Sequence, residues 1–339
     1  MDFKDKRIYV AGHNGMVGSA VFRVLKAQGF TNIITRSSKE LDLRVQQDVA
    51  SFFQTEKPEF VIDAAAKVGG ILANDTQPYP FIMDNMLIQN NLIDSAHKTG
   101  VEKFIFLGSS CIYPKHAPQP LKEEYLLTAP LEPTNEWYAI AKISGLKACE
   151  AIRKQYGKDF VSLMPTNLYG PNDNFDLETS HVLPAMMRKF HEAKLNGNAP
   201  VTLWGTGSPM REFLHVDDLA KAVLFAIEQK LPENLYNVGT GTDLTIRQLA
   251  EMIQHVTGHT GDIIWDSTKP DGTPKKQLDI SKIQELGWKP EIELEDGVKE
   301  VYEWYVRAES SKLKAQSSKL KAQSSKLKAQ SSKLKAQSS

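Results

Sequence analysis

The 339 residues suffice for a large core or two domains, and 41% hydrophobic with 24% charged content is that of a soluble globular protein. The net charge of zero is misleading: residues 310–339 repeat Ser-Ser-Lys-Leu-Lys-Ala-Gln and hold eight of the 41 basic residues and no acid, leaving 33 against 41 acidic ones elsewhere, near −8. No apolar run approaches the ~20 residues of a membrane helix. The charged start, Met1 to Arg7, runs straight into a strand and gives no sign of a signal peptide. Cys111 and Cys149 fit neither a disulfide framework nor a zinc site. The expectation is a cytoplasmic protein with no metal, membrane or nucleic-acid partner.

Residues 7–11 read as a short buried strand. The turn Gly12-His13-Asn14-Gly15-Met16-Val17-Gly18 follows, then helical periodicity over 19–28 ending at Gly29. In a strand, turn, helix setting such glycines let the backbone approach a pyrophosphate at a helix N-terminus; a purely structural turn is the alternative. A second strand over 33–35 leads into Arg36-Ser37-Ser38-Lys39. Arginine and serines there suit the 2′-phosphate of NADP, whereas nearby Glu40 and Asp42 keep NAD open.

A third strand over 60–66 ends in Ala64-Ala65-Ala66-Lys67-Val68-Gly69-Gly70. A long helix is expected over 83–98, then a strand over 103–107 closing in Leu107-Gly108-Ser109-Ser110-Cys111. The next helix starts near Asn135, with Thr134 or Asn135 as its cap. It places Tyr138 and Lys142 four residues apart on one face. A phenol with pKa near ~10 is a sluggish proton donor, and a cation within ~4–6 Å lowers that value. With ten tyrosines in a lysine-rich chain the spacing also recurs by chance, and a half-buried packing tyrosine fits it.

Beyond 161–164 comes the turn-rich Pro165-Thr166-Asn167-Leu168-Tyr169-Gly170-Pro171, a helix over 182–195, a strand over 201–204, the segment 210–218 and a strand from Tyr236. Alternating strands and helices predict an α/β fold, a doubly wound parallel sheet of Rossmann type with a smaller α/β substrate-binding lobe. The expected division is a nucleotide-binding domain over 1–164, with segments from about 205–240 returning to its sheet. A lobe over 165–309 and the repeat tail over 310–339 follow.

In the tail, Leu313, Leu320, Leu327 and Leu334 fall seven apart, but one large apolar residue per heptad is half of what a coiled-coil seam needs. A solvated, largely disordered extension is expected. Its seven codons can be written AGC TCA AAG CTC AAA GCT CAA, the heptanucleotide AGCTCAA read once in each frame. We therefore hypothesise a translated nucleotide repeat prone to copy-number slippage. Mixed synonymous codons across the copies, read by sequencing the gene, would exclude it.

The glycine turn, Ser109 with Tyr138-x-x-x-Lys142, and the segment 211–218 together resemble the extended short-chain dehydrogenase/reductases. Residues 11–18, 64–70, 108–115, 165–171 and 269–274 resemble more narrowly the GDP-L-fucose synthases within that superfamily, and the likeness spans about residues 5–306. The resemblance implies a homodimer acting on a GDP-sugar: 3,5-epimerisation of GDP-4-keto-6-deoxy-D-mannose, then NADPH-dependent reduction at carbon 4. It implies that Cys111 and His181 exchange the protons on carbons 3 and 5, and that Tyr138 protonates the carbon 4 oxygen. Ser109 would bind that oxygen, and Lys142 would hold the cofactor ribose.

The implied cofactor contacts are Gly12, His13, Asn14, Gly15, Met16, Val17, Gly18, Arg36, Ser38, Leu41, Asp42, Leu107, Gly108, Lys142, Pro165, Asn167, Leu168 and His181. The implied substrate contacts are Lys189, Trp204, Arg211 and Asp271. Plainer roles compete: Cys111 as a small buried hydrophobe, His181 as the decoration of a helix start, Trp204 as core, Lys189 as a solvated charge. Ser110-Cys111 stands where a 4,6-dehydratase needs an acid. A 4-epimerase and a non-catalytic NADP-binding scaffold are the remaining readings.

Overall fold

The computed structural model describes residues 3–269, 271–312 and 314. Most of the repeat tail, and with it the expectation of disorder or coiled-coil assembly, lies outside the described residues.

The four residues of β1 (Ile8–Ala11) are all buried, the mark of a strand covered on both faces. In chain order come α1 (Met16–Ala27), β2 (Ile33–Ile34), α2 (Gln46–Glu56), β3 (Phe60–Asp63), α3 (Ile71–Thr76), α4 (Pro78–Thr99) and β4 (Lys103–Leu107). Three short 3-10 turns lead to α5 (Glu136–Tyr156), followed by β5 (Asp159–Pro165), β6 (Asn167–Tyr169) and α6 (Val182–Leu195). The rest comprises β7 (Val201–Trp204), β8 (Met210–Arg211), β9 (Phe213–His215), α7 (Val216–Glu228), β10 (Leu235–Val238), β11 (Leu244–Thr245), α8 (Ile246–Thr257), β12 (Ile263–Asp266), β13 (Lys275–Lys276) and α9 (Ser281–Glu285). A last helix, α10, occupies 294–312.

Six parallel strands form the main sheet in the order β10-β5-β4-β3-β1-β2. The helices α1 and α7 pack together on it, as do α2, α4 and α5, giving the doubly wound architecture. Of the stretch 205–240, β10 is the strand that joins this sheet; β8 and β9 belong to smaller ones. There, β8 lies between β11 and β13, β7 pairs with β12, and β6 with β9. A second apolar core under these strands includes Met187, Phe190, Leu203, Phe213, Leu249 and Ile253, and α10 adds Val298, Val301 and Tyr305.

Several boundaries differ from the sequence expectation for local reasons. The long helix α4 begins at Pro78, where a proline at the first turn sacrifices no hydrogen bond, and stops at Gly100 in the left-handed region. Neither Thr134 nor Asn135 caps α5 with its side chain: a 3-10 turn over Pro133–Asn135 precedes it, and the Thr134 hydroxyl donates to Glu132. The third strand ends at Asp63, three residues early.

Tyr305 is the last buried residue of the second core, and Val306 the last that packs against it. The first repeat residues, 310–312, are exposed. Deleting 310–339 is therefore expected to leave turnover and melting temperature unchanged. A large loss of turnover in the truncated protein would show instead that the repeat belongs to the working enzyme.

Candidate active site

The strand order reverses beside β1, whose neighbours β2 and β3 carry the chain in opposite directions along the sheet, and ligands of such sheets sit at the carboxyl ends of the strands. Gly12 opens that crevice with φ +77°, and a Cβ there would stand 2.7 Å from the Ala64 carbonyl oxygen. At Gly18 a Cβ would meet the Gly12 oxygen at 2.2 Å. Only glycine permits this closeness of turn, helix and strand. Gly15, as the cap of α1, has no side chain to occupy the amides of Met16, Val17 and Gly18. His13 and Asn14 lie in the same turn, and His13 Nδ1 is buried with no hydrogen-bond partner among the described residues. This cradle fits a dinucleotide pyrophosphate.

Past β2, the Arg36 guanidinium lies 5.5 Å from the Phe52 ring centroid and pairs with Glu56. Ser38 and the buried Leu41 follow it in sequence. The two acids that left NAD open are both engaged. Glu40 accepts from the Ser37 amide and hydroxyl at 2.8 and 2.7 Å. The Asp42 carboxylate accepts from Arg44 at 2.9 and 2.8 Å, and that arginine brings its pKa to about 2. Arg36 is thus the cation just past the end of β2 whose two nearest acids in sequence are held by other groups.

Lys142 Nζ donates to the Leu107 carbonyl at 2.9 Å and stands 5.9 Å from the Tyr138 ring centroid, so α5 does bring the pair together. The ammonium lies over the ring. Burial then governs the phenol and pushes it well above its usual range, with the Cys111 and Asp63 charges acting in the same direction. This differs from the expectation that Lys142 lowers it. Burial also pulls Lys142 down, against the opposing pull of Asp63 and Cys111.

Beyond Gly108, the Ser109 side chain accepts from the Cys111 amide at 3.4 Å, tightening the turn that carries the buried thiol. Burial raises the Cys111 pKa, opposed by Lys276, the Ser109 hydrogen bond and Lys142. His181 is the N-cap position of α6. The loop before it docks on the 64–70 segment, where the Gly70 amide donates to Thr179 O at 2.9 Å. A Cβ at Gly70 would lie 2.7 Å from Ser180 O. His181 is exposed at the surface, yet desolvation by the surrounding chain and the Lys276 charge hold the imidazole below its usual value, so it is neutral at pH 7.

On the lobe side, Lys189 donates to Thr202 O at 3.3 Å, and Trp204 is 65% exposed with Lys269 Nζ 5.5 Å from its ring. Such an indole lies on the surface, not in the core. Asp271 accepts from the Thr206 amide and hydroxyl at 2.9 and 2.7 Å. Arg211 donates to Met210 O and Thr273 O at 2.7 and 2.6 Å. The candidate residues thus fall into two groups: Ser109, Cys111, Tyr138 and Lys142 at the sheet, with His181 sharing the influence of Lys276 with Cys111, and Trp204, Arg211 and Asp271 on the lobe, Lys189 lying apart on α6.

Sequence reasoning missed the residue that joins them. Lys276 on β13 is the strand partner of Arg211, and its charge acts on both Cys111 and His181. The one available signal was its place two residues after the 269–274 segment. Also missed was Glu212, whose buried carboxylate accepts from the amides of Thr240, Gly241 and Leu278 at 2.6, 2.8 and 2.8 Å. Its carbonyl accepts from Thr166 Oγ1 at 3.3 Å and from Asn167 Nδ2 at 2.8 Å, so it ties the link between Pro165 of β5 and Leu168 of β6 to the lobe. Among the described residues no cluster of metal-binding side chains occurs, and no helix is long and apolar enough to cross a membrane.

Comparison with known proteins agrees with this geometry. GDP-L-fucose synthase 1 of Arabidopsis thaliana is 59% identical over 307 residues, covering 91% of this chain and 95% of that protein. GDP-L-fucose synthase of Escherichia coli strain K12 is 50% identical over 311 residues, covering 89% and 97%. A solved GDP-L-fucose synthetase from Naegleria fowleri bound to NADP superimposes with a TM-score of 0.83 at 31% identity, covering 91% and 94%. The model of the NAD dependent epimerase/dehydratase family matches residues 8–239. On the glycine cradle, the Tyr138–Lys142 pair and these likenesses, the chain belongs to the NAD dependent epimerase/dehydratase family, within the extended short-chain dehydrogenase/reductases.

Proposed function

We propose that this protein converts GDP-4-keto-6-deoxy-D-mannose to GDP-L-fucose, by 3,5-epimerisation followed by NADPH-dependent reduction of the 4-ketone. The observation that carries the reading is a buried thiol and a neutral imidazole sharing one lysine, next to a Tyr–Lys pair at the mouth of a dinucleotide cradle. Relatives of this length and identity bear the name of that activity.

A 4-ketone acidifies the hydrogens on carbons 3 and 5, because the resulting carbanion delocalises onto the ketone oxygen. Ser109 and Tyr138 are proposed to hold that oxygen. Cys111 and His181, from opposite sides of the cleft, remove a proton and return one on the other face. At neutral pH the resting pair is a thiol and a neutral imidazole, so one group can accept while the other donates. Gly12–Gly18 would hold NADPH, with Arg36 at its 2′-phosphate, and the bound cofactor would supply the hydride for carbon 4. Tyr138, kept protonated by burial, delivers the proton to the oxygen. Lys142 holds the nicotinamide ribose.

Lys189 and Arg211 are proposed for the diphosphate, Trp204 for the flat face of the base and Asp271 for hydroxyl groups. On this reading the two cores correspond to a nucleotide-binding domain and a substrate lobe. We further propose a homodimer through α4 and α5, which leave Leu87, Trp137 and Ile140 on the surface. A reducing cytoplasm is in keeping with two free cysteines.

The test is incubation of the protein with the keto sugar and NADPH in heavy water, following deuterium uptake at carbons 3 and 5 together with loss of NADPH absorbance. Both are expected. NADPH loss without deuterium uptake would replace the proposal with a simple 4-reductase.

A further inference from the structure

We propose that Asp63 is a positioning residue for the reduction step, the buried counter-charge that keeps Lys142 an ammonium beside Tyr138. The inference rests on the reading above for its reaction, and on strand register for its geometry. Asp63 closes β3 opposite Phe106 of β4, which is opposite Ser162 of β5, so the three side chains share one face of the sheet. That face is covered by α5: a Cβ on Gly145 would stand 2.6 Å from the Phe106 ring, and Lys142 Nζ lies 4.8 Å from its centroid. Asp63 and Lys142 thus flank the same ring.

Asp63 is fully buried. One carboxylate oxygen accepts from the Ala65 amide at 3.2 Å, and the other has no hydrogen-bond partner among the described residues. Lys142 is 3% exposed and donates to a neutral carbonyl. A buried carboxylate and a buried ammonium are each expensive alone. The remaining titratable groups that face Asp63, namely Tyr9 of β1 with Tyr138 and Cys149 of α5, offer no positive charge. Those acting on Lys142 are Asp63 and Cys111. Each of the two buried charges is therefore the other's main compensation.

Burial pushes Asp63 up to about 6, and Lys142 restrains the rise, so the carboxylate is ionised at neutral pH. In that state it raises the pKa of Lys142 and of Tyr138 alike. Removing the charge lets both fall, and both changes act in one direction. The protonated phenol and the ammonium are then lost at lower pH.

Asp63→Asn preserves shape and the acceptor for the Ala65 amide. Relative to wild type, the alkaline limb of NADPH oxidation is expected to move down by about one pH unit, with deuterium uptake at neutral pH retained. The carboxylate binds its proton more tightly folded than unfolded, from 3.8 to about 6, so its ionisation costs stability above that range. The variant relieves that cost but leaves the Lys142 ammonium without its counter-charge, so the alkaline limb, and not the melting temperature, decides the role of Asp63. A purely structural carboxylate would change melting and leave the limb in place, and that result overturns the proposal.

Asp63→Leu, apolar and of similar size, serves if the amide variant misfolds. NADPH fluorescence titration against pH reads the Lys142 charge without turnover. A failure of the sugar assay in wild type would thus fall on the proposed activity. Superimposable NADPH affinity profiles for wild type and variant would sink the role of Asp63.

Discussion

Replacing Tyr138 by phenylalanine is expected to lower NADPH oxidation with the keto sugar by about 10²–10⁴-fold, the usual worth of a positioned general acid, while the protein still exchanges protons at carbons 3 and 5. The ring can remain where it is, edge-on to Phe81 at 6.4 Å between centroids and alongside Lys142. Only the hydroxyl is lost. Because burial, Cys111 and Asp63 all push the phenol upward, wild-type Tyr138 stays protonated through neutral pH. Reduction should accordingly fade on the alkaline side, where that proton is finally released. Stopped-flow absorbance and deuterium uptake, read on one sample, check both halves. An undiminished reduction rate in the phenylalanine variant would remove Tyr138 from the reaction.

Changing Cys111 to serine is expected to do the reverse, cutting deuterium uptake at carbons 3 and 5 by about 10²–10³-fold because an alcohol is a far poorer proton shuttle than a thiol near neutral pH. His181→Asn should do likewise. NADPH oxidation falls too when the supplied sugar must first be epimerised. A substrate already epimerised at both carbons should restore it in the Cys111 variant, and continued failure there would mean the thiol mainly supports the fold. In wild type, desolvation and Lys276 keep the imidazole neutral down to a lower pH than for a free histidine. Exchange is therefore expected to persist into mildly acidic solution and to drop once His181 is protonated.

Both experiments probe groups whose presence could be read along the chain, although their surroundings could not. Tyr138 and Lys142 are one helical turn apart, and Gly12 and Gly18 bracket one turn, so covalent spacing alone puts each pair within reach. The direction of the Tyr138 shift was misjudged for the same reason. Spacing tells which residues are neighbours but not how deeply they are buried, and here desolvation outweighs the nearby cation. Trp204, ambiguous between core and surface, turned out exposed because the strand pattern of β7 is buried, exposed, buried, exposed.

From the sequence by itself came the doubly wound sheet, the phosphate cradle and the Tyr–Lys pair. Each depends on periodicity or on contacts between residues only a few positions apart, which the backbone enforces locally. Tertiary structure alone decided that the Lys276 charge acts on both Cys111 and His181, that Glu212 braces the two lobes, and that Asp63 and Lys142 are buried within electrostatic reach of each other. Those residues arrive from strands far along the chain, through register that only the closed fold defines. Their charges matter because burial strips away the water that would otherwise screen them.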